Sequence, residues 1–212
     1  MEGLAPILVV DDDVSIVRAL CRLIEKVCPA MGATTIAEAN EKIEQASRLT
    51  GLILDVHLAE GSGWEVLVTA RARDPFLPAM MLTGMRWSSL AEQAKEFHAI
   101  ACEKPLEAGD AVRFAESALK SQENALTRMR GLVDELAERC RLSADEASAV
   151  EASVSGQALA PAASLGGTAP MTLNAHILSK TGAKSLRDVR DSLLRSYFSG
   201  WLSGWLSRSL PD

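Results

Sequence analysis

Apolar residues along this chain fall into short unbroken runs separated by stretches with a helical period. Residues 6–10 form one run, and Gly51–Leu54, Pro78–Leu82 and Ala99–Cys102 form three more. Runs of this length suit strands buried on both faces. Between them the pattern changes. Val14, Val17, Leu20, Cys21, Ile24 and Val27 share one face of a helix expected over Val14–Val27. Ala33–Ile36 is expected as a further short strand and Ala37–Ala46 as a helix. A Gly-rich loop over Val56–Gly63 should lead into a helix from Trp64 to Arg73, which Asp74-Pro75 ends. Ser88–Phe97 reads as another helix, and a last one begins near Ala111. Five strand–helix alternations predict an open, doubly wound parallel sheet covered by helices on both faces. Right-handed crossovers then gather the strand ends at one carboxyl edge.

The rest of the chain reads as helices alone. Leu126, Met129, Val133, Leu136 and Cys140 are spaced 3, 4, 3, 4, a heptad seam two repeats long. Two readings are open for it: a coiled connector that joins two copies in a homodimer, or an amphipathic helix packed on its own domain. Ser143 and Glu146 form a capping-box pair for a helix to about Ser155, which Gly156 can end. Residues 157–171 are rich in Ala, Gly and Pro, with a short helix through Leu159 and a loop at Gly166-Gly167. Thr172 can cap a helix to Lys180, broken by Gly182, and Ser185 with Asp188 opens another. Gly200 and Gly204 argue against a long continuation of that last helix through Trp201 and Trp205. The expected organisation is a sheet domain at 1–121, a helical linker at 122–142 and a small all-helical domain at 143–212.

Charge is unevenly placed. Residues 1–120 hold 12 Lys/Arg against 18 Asp/Glu, whereas residues 124–212 hold 10 against 9. The first part is therefore a poor partner for polyanions, and the second is close to neutral. The four cysteines include no CxxC pair and the three histidines are scattered, so no zinc spacing is present. Free thiols of a cytoplasmic protein are expected. No basic region precedes the first apolar run and no apolar stretch approaches 18 residues, so neither a signal peptide nor a membrane span is expected.

The chemistry sits where the apolar runs end. Asp11 and Asp12 follow the first, Asp55 follows Gly51–Leu54, Thr83 follows the next, and Lys104-Pro105 the last. On a parallel sheet these ends meet. Asp55 is placed as a nucleophile for a phosphoryl group. Three carboxylates in one crevice repel unless a cation lies among them. Hard oxygen ligands fit Mg²⁺, with Asp12 as direct ligand, Asp11 through water and the His57 backbone carbonyl completing the protein's share. Lys104 would hold one phosphoryl oxygen as a point charge and Thr83 would donate its hydroxyl to another. The His57 side chain is expected to point to solvent. A metal-dependent phosphatase built on Asp55 and Asp12 would need a second base and a substrate cleft, and the sequence offers neither.

Residues 5–120 resemble the receiver domain of two-component response regulators. The matching segments are Ile7-Leu8-Val9-Val10-Asp11-Asp12-Asp13, Leu54-Asp55-Val56-His57-Leu58 with Gly63, Leu82-Thr83-Gly84 and Glu103-Lys104-Pro105. The resemblance implies a five-stranded doubly wound fold, Mg²⁺, and phosphotransfer to Asp55 from a sensor histidine kinase or a phosphotransfer protein. It implies no enzyme activity beyond slow self-dephosphorylation. Two positions depart from the family pattern. Ala59 stands where the loop usually has proline. Ala101 stands where an aromatic usually swings inward as the threonine meets the phosphoryl group, which implies an output signal that travels by backbone and helix shifts instead, or one that is weak.

Residues 143–195 resemble, in part, the LuxR-type helix-turn-helix output domain. Leu142-Ser143 with Glu146, Ala149 and Val150 matches its first helix, and Ile177 to Leu186 matches the end of its recognition helix, the turn after it and the start of the next helix. Pro170 departs from that pattern, since it would fall inside the recognition helix. The resemblance implies transcription regulation through DNA contacts, for which Asn174, His176, Lys180, Lys184 and Arg187 are the candidates. The alternative is a helical module that binds a protein and not DNA.

Overall fold

The computed structural model describes residues 4–84, 93–94, 96–154 and 170–209. Its first apolar run is strand β1 (Ile7–Val10), followed by α1 (Val14–Ile24), β2 (Ala30–Ala33), α2 (Ile36–Gln45) and β3 (Gly51–Asp55). Two short strands, β4 (His57–Leu58) and β5 (Gly61–Ser62), pair antiparallel within the expected loop. Then come α3 (Gly63–Arg73), β6 (Ala79–Thr83) and β7 (Ile100–Glu103). The main sheet is parallel throughout, in the order β2-β1-β3-β6-β7. The doubly wound sheet expected from the alternation is therefore present. Its order reverses between β1 and β3, and that switch point opens a crevice at the carboxyl edge.

All residues of β1, β3 and β6 are buried, which is why these strands read as unbroken apolar runs and not as alternation. Leu8, Val10, Leu52, Leu54 and Met81 pack with Ala39 and Ile43 of α2 and with Val66, Leu67 and Ala70 of α3. Alternate residues turn to the opposite face. There a side chain on Gly51 would press on Phe114 and Ala118 of the helix after β7.

The second strand differs from expectation. It covers Ala30–Ala33, and the expected strand Ala33–Ile36 is mostly a helix entry. Thr35 caps α2 by accepting from the Glu38 N–H at 3.1 Å, while the Glu38 carboxylate accepts from the Thr34 N–H at 2.8 Å. This cap fixes the start of α2 and leaves the weakly apolar Ala30-Met31-Gly32-Ala33 to pair with β1. The expected helix Ser88–Phe97 lies largely outside the described residues; Gln93, Ala94 and Glu96 are helical.

The chain divides into two compact units, residues 1–123 with 204–212, and residues 124–203. Helix α4 (Ala108–Cys140) starts three residues before Ala111 and runs through the segment expected as linker. Met129, Val133 and Leu136 of its heptad seam are buried within a single copy, as in an amphipathic helix packed on its own chain. Helix α5 (Ala144–Val154) opens on the expected box: the Ser143 N–H donates to Glu146 Oε2 at 2.7 Å and the Glu146 N–H to Ser143 Oγ at 3.3 Å. The Gly156 stop, the short helix near Leu159 and the loop at Gly166-Gly167 lie outside the described residues.

Helix α6 (Pro170–Thr181) begins two residues before the expected Thr172 cap, because proline is well tolerated in the first turn of a helix. Gly182 ends it at φ +70°. Helix α7 (Leu186–Ser209) opens with the Asp188 N–H donating to Ser185 Oγ at 3.1 Å. It then runs past Gly200 and Gly204, against the expectation from propensity alone. Buried Val189, Leu193, Tyr197 and Phe198 anchor its earlier turns, and tertiary packing outweighs the cost of about 1 kcal/mol per helical glycine.

Candidate phosphoryl-acceptor site

The site forms at the carboxyl edge because β1 and β3 are register partners up to Val10↔Leu54. Asp11 and Asp55 are the next residues on each strand. Asp11, Asp12 and Asp55 each offer a carboxylate oxygen, and these oxygens lie within 4.8 Å of one another. Asp11 is 1% exposed and Asp55 5%, whereas Asp12 is open to solvent. The third aspartate of the run, Asp13, caps α1 by accepting from the Ser15 N–H at 2.7 Å.

Lys104 follows β7 directly. Its Nζ donates to Asp11 Oδ2 at 2.6 Å and to Asp55 Oδ2 at 2.7 Å. Backbone donors hold the other oxygens: the Asp13 N–H lies 3.0 Å from Asp11 Oδ1, and the His57 N–H 3.1 Å from Asp55 Oδ1. Both carboxylates are therefore fixed in orientation. One ammonium serves two buried anions, with a third carboxylate beside them. Burial pushes the Asp11 carboxyl above the usual aspartate value, against the hydrogen bonds from Lys104 and the Asp13 N–H. Burial alone would lower Lys104, but its hydrogen bonds to Asp11 and Asp55 prevail and raise it, so the ammonium stays charged. The donor set is all hard oxygen with surplus negative charge, which fits a divalent cation such as Mg²⁺.

Thr83 ends β6 fully buried, and its carbonyl accepts from the Lys104 N–H at 2.7 Å. That bond couples the two strand ends. The His57 side chain is exposed, as expected. Ala101 lies 7% exposed in the packed layer on one sheet face.

Two supporting residues escape the sequence reading of the site, and for the first of them a signal is present. Ser62 begins the pattern Ser62-x-x-Glu65 and makes the full capping box of α3. Its hydroxyl also donates to the Val56 carbonyl at 3.1 Å, closing the loop after Asp55. Arg71 donates to the Leu77 carbonyl at 3.1 Å, to that of His98 at 3.1 Å and to that of Phe97, tying α3 to the segments that enter β6 and β7. Gly63 is required by a close approach, since a Cβ there would collide with the Asp55 carbonyl oxygen.

In the helical unit the candidate DNA contacts separate. Lys180 Nζ is committed to Glu146 Oε2 at 2.6 Å, and His176 Nδ1 lies 3.9 Å from Glu146 Oε1. Glu146 itself is 3% exposed. Asn174 Oδ1 is buried with no hydrogen-bond partner. The Lys180 side chain stays exposed while its ammonium pairs with the buried carboxylate, and Asn174 is partly buried beside the α6 face that packs through Leu173 and Ile177. His176, Lys184 and Arg187 stay exposed, and Arg187 lies 3.9 Å from Asp191. Among the described residues, no helix is long and apolar enough to cross a membrane.

Residues 7–113 match the family model of the response regulator receiver domain. Among solved structures, a CheY-like response regulator receiver domain protein from Methanospirillum hungatei JF-1 is 26% identical, with 58% of this chain and 99% of that one covered and a TM-score of 0.53. A response regulator receiver domain protein from Clostridium thermocellum is 24% identical over 57% of this chain and 98% of its own, at 0.52. A Rhodopirellula baltica structure described as an adenylate cyclase is 23% identical over 64% and 99%, at 0.54. The last two share the fold only. No curated protein sequence matches the chain. A five-stranded parallel sheet whose carboxyl edge joins an acidic cluster to a lysine, together with a family match over half its length, identifies this chain as a member of the response regulator receiver domain family.

Proposed function

We propose that Asp55 accepts a phosphoryl group from a sensor histidine kinase or phosphotransfer protein, and that the change switches the helical unit. The observation that carries this reading is Lys104 Nζ bridging Asp11 and Asp55 at 2.6 and 2.7 Å, beside three clustered carboxylates. In the step, an Asp55 carboxylate oxygen forms a bond to phosphorus as the donor's nitrogen–phosphorus bond breaks, its electron pair staying on the donor imidazole. Lys104 then turns from bridging two carboxylates to holding a phosphoryl oxygen, and the Thr83 hydroxyl donates to another. The His57 N–H holds Asp55 Oδ1 and so orients the carboxylate. Asp11, Asp12 and the His57 carbonyl would hold Mg²⁺, which supplies neutralising charge for the phosphoryl oxygens. The only turnover assigned is slow hydrolysis of the aspartyl phosphate. The four free cysteines support a reducing, cytoplasmic setting.

For the helical unit the reading supported best is a protein-binding output and not a transcription regulator that reads DNA. Lys180 is the basic residue of α6, and it is held by Glu146; Asn174 Oδ1 is buried. That leaves a near-neutral helix without the positive stripe that phosphate contacts need.

Labelling the full chain with acetyl phosphate tests the acceptor. The expected result is acyl phosphate on the wild type and none on Asp55→Asn, with circular dichroism unchanged. Continued labelling of that variant would overturn the assignment. DNA binding measured against salt, with and without beryllofluoride, tests the output. A steep negative salt slope would return the helical unit to DNA recognition.

A further inference from the structure

Ala101 puts only a methyl group into a packed layer that also contains Trp64, Ala94, Ala99 and Phe97. Three of these five residues are alanines, and Trp64 and Phe97 are the rings of the layer. Trp64 and Phe97 stack with centroids 4.9 Å apart and planes tilted by 32°. Trp64 is 7% exposed, yet its indole N–H is buried with no hydrogen-bond partner. A buried tryptophan N–H is normally satisfied, so a small displacement that brings a polar partner would be favourable.

Each ring is attached to one side of the Asp55 pocket. Trp64 follows Gly63, whose N–H donates to the Val56 carbonyl at 3.2 Å and whose Cα lies against the Asp55 carbonyl. Phe97 belongs to the segment that feeds β7, where the Ala99 N–H donates to the Ala94 carbonyl at 2.8 Å. That strand ends beside Lys104. The aromatic pair therefore links the loop after the nucleophile to the strand that carries the lysine.

We propose that Trp64, stacked on Phe97, relays occupancy of the Asp55 pocket to the α3 face of the receiver, a task for which Ala101 offers no ring. The inference rests on the reading of Asp55 as acceptor. New charge at Asp55 redirects Lys104, β7 and its lead-in follow, and the indole N–H gains a polar partner. Trp64 is a positioning residue in this scheme and touches no reacting atom.

The test uses the full chain with Trp87, Trp201 and Trp205 replaced by phenylalanine, so that Trp64 alone emits. Beryllofluoride with Mg²⁺ is the probe, and fluorine NMR reads its binding independently. The expected result is a red shift of Trp64 emission that saturates with the bound fluorine signal. Bound beryllofluoride with unchanged emission would overturn the relay and leave the acceptor reading intact. No bound signal would remove the acceptor reading and the relay with it. Phe97→Leu in the same background should bind beryllofluoride and lose at least half of the red shift; a full shift there also overturns the relay. If the triple replacement unfolds the chain, 5-fluorotryptophan in the otherwise unaltered protein, with Trp64 assigned through Trp64→Phe, gives the same readout.

Discussion

Two buried carboxylates in this molecule each take a lysine at 2.6 Å, yet they sit in opposite electrostatic situations. Asp11 shares its lysine with Asp55 and has Asp12 close by, and burial leaves its carboxyl above the ordinary value. Glu146 faces the same burial, but the hydrogen bonds from Lys180 and the Ser143 N–H prevail and hold it below the ordinary value. A satisfied carboxylate stabilises its surroundings. A crowded one costs stability and keeps a site ready for a cation or a transferable group. The helical unit uses its buried charge as structure, whereas in the receiver burial outweighs what the partners of Asp11 supply.

The largest effect expected from this contrast is at Lys180. Lys180→Met leaves Glu146 buried without its cation and should destabilise the helical unit by about 3 kcal/mol. That figure is the lower end for a buried pair, because the Lys180 side chain is 38% exposed. Urea unfolding followed by hydrogen exchange in α5 and α6 would measure it, and Mg²⁺ should bring no recovery. Recovery on adding Mg²⁺ would break the comparison.

Next comes a pair of isosteric changes with opposite signs. Asp11→Asn should stabilise the metal-free receiver by about 1 kcal/mol, because it removes a charge that burial disfavours more than Lys104 and the Asp13 N–H favour it. Glu146→Gln should destabilise the helical unit by about 1–2 kcal/mol, because it weakens a charge-assisted hydrogen bond. Two changes of the same sign in denaturation midpoints would end the distinction.

The pH dependence sharpens it further. Glu146 has a folded value below its unfolded one, so its stabilisation is present above the ordinary glutamate value of 4.5 and is lost as pH falls through the folded value. Asp11 runs the other way. Its folded value lies above 3.8, so stability is present below the unfolded value and is lost as pH rises through the folded one. Exchange rates resolved by unit between about pH 3 and 6 would show opposing slopes, and Glu146→Gln should flatten only the helical unit's acid limb. The smallest effect belongs to the surface. Arg187→Ala should change stability by under about 0.5 kcal/mol, since Arg187 is 79% exposed and its pairing with Asp191 spans 3.9 Å. A thermal melt that moved by several degrees would show that this arginine does more than decorate the surface.

Legibility differed between the units for a physical reason. In the receiver, strands buried on both faces wrote themselves as apolar runs, and each run ended on the residue that now lines the crevice. The β2 boundary slipped because Ala30-Met31-Gly32-Ala33 is a half-buried edge strand of small residues, and a period of two had little to mark. The Thr35-x-x-Glu38 and Ser62-x-x-Glu65 caps were available as signals and would have set both boundaries. In the helical unit, caps at Ser143 and Ser185 were readable because each is a local bond across three residues. The pairing of Lys180 with Glu146 was not, because its partner lies 34 residues away.

Sequence alone determined the alternation, the sheet class, the helix caps and the chemical character of each strand end, since these depend on contacts between near neighbours and on which residues must leave water. Only the tertiary structure decided that one lysine would bridge two aspartates, that α7 would continue past two glycines, and that a lysine suited to phosphate would neutralise a buried glutamate. Those outcomes depend on long-range packing and on the local supply of opposite charge, and neither quantity is written in any short stretch of the chain.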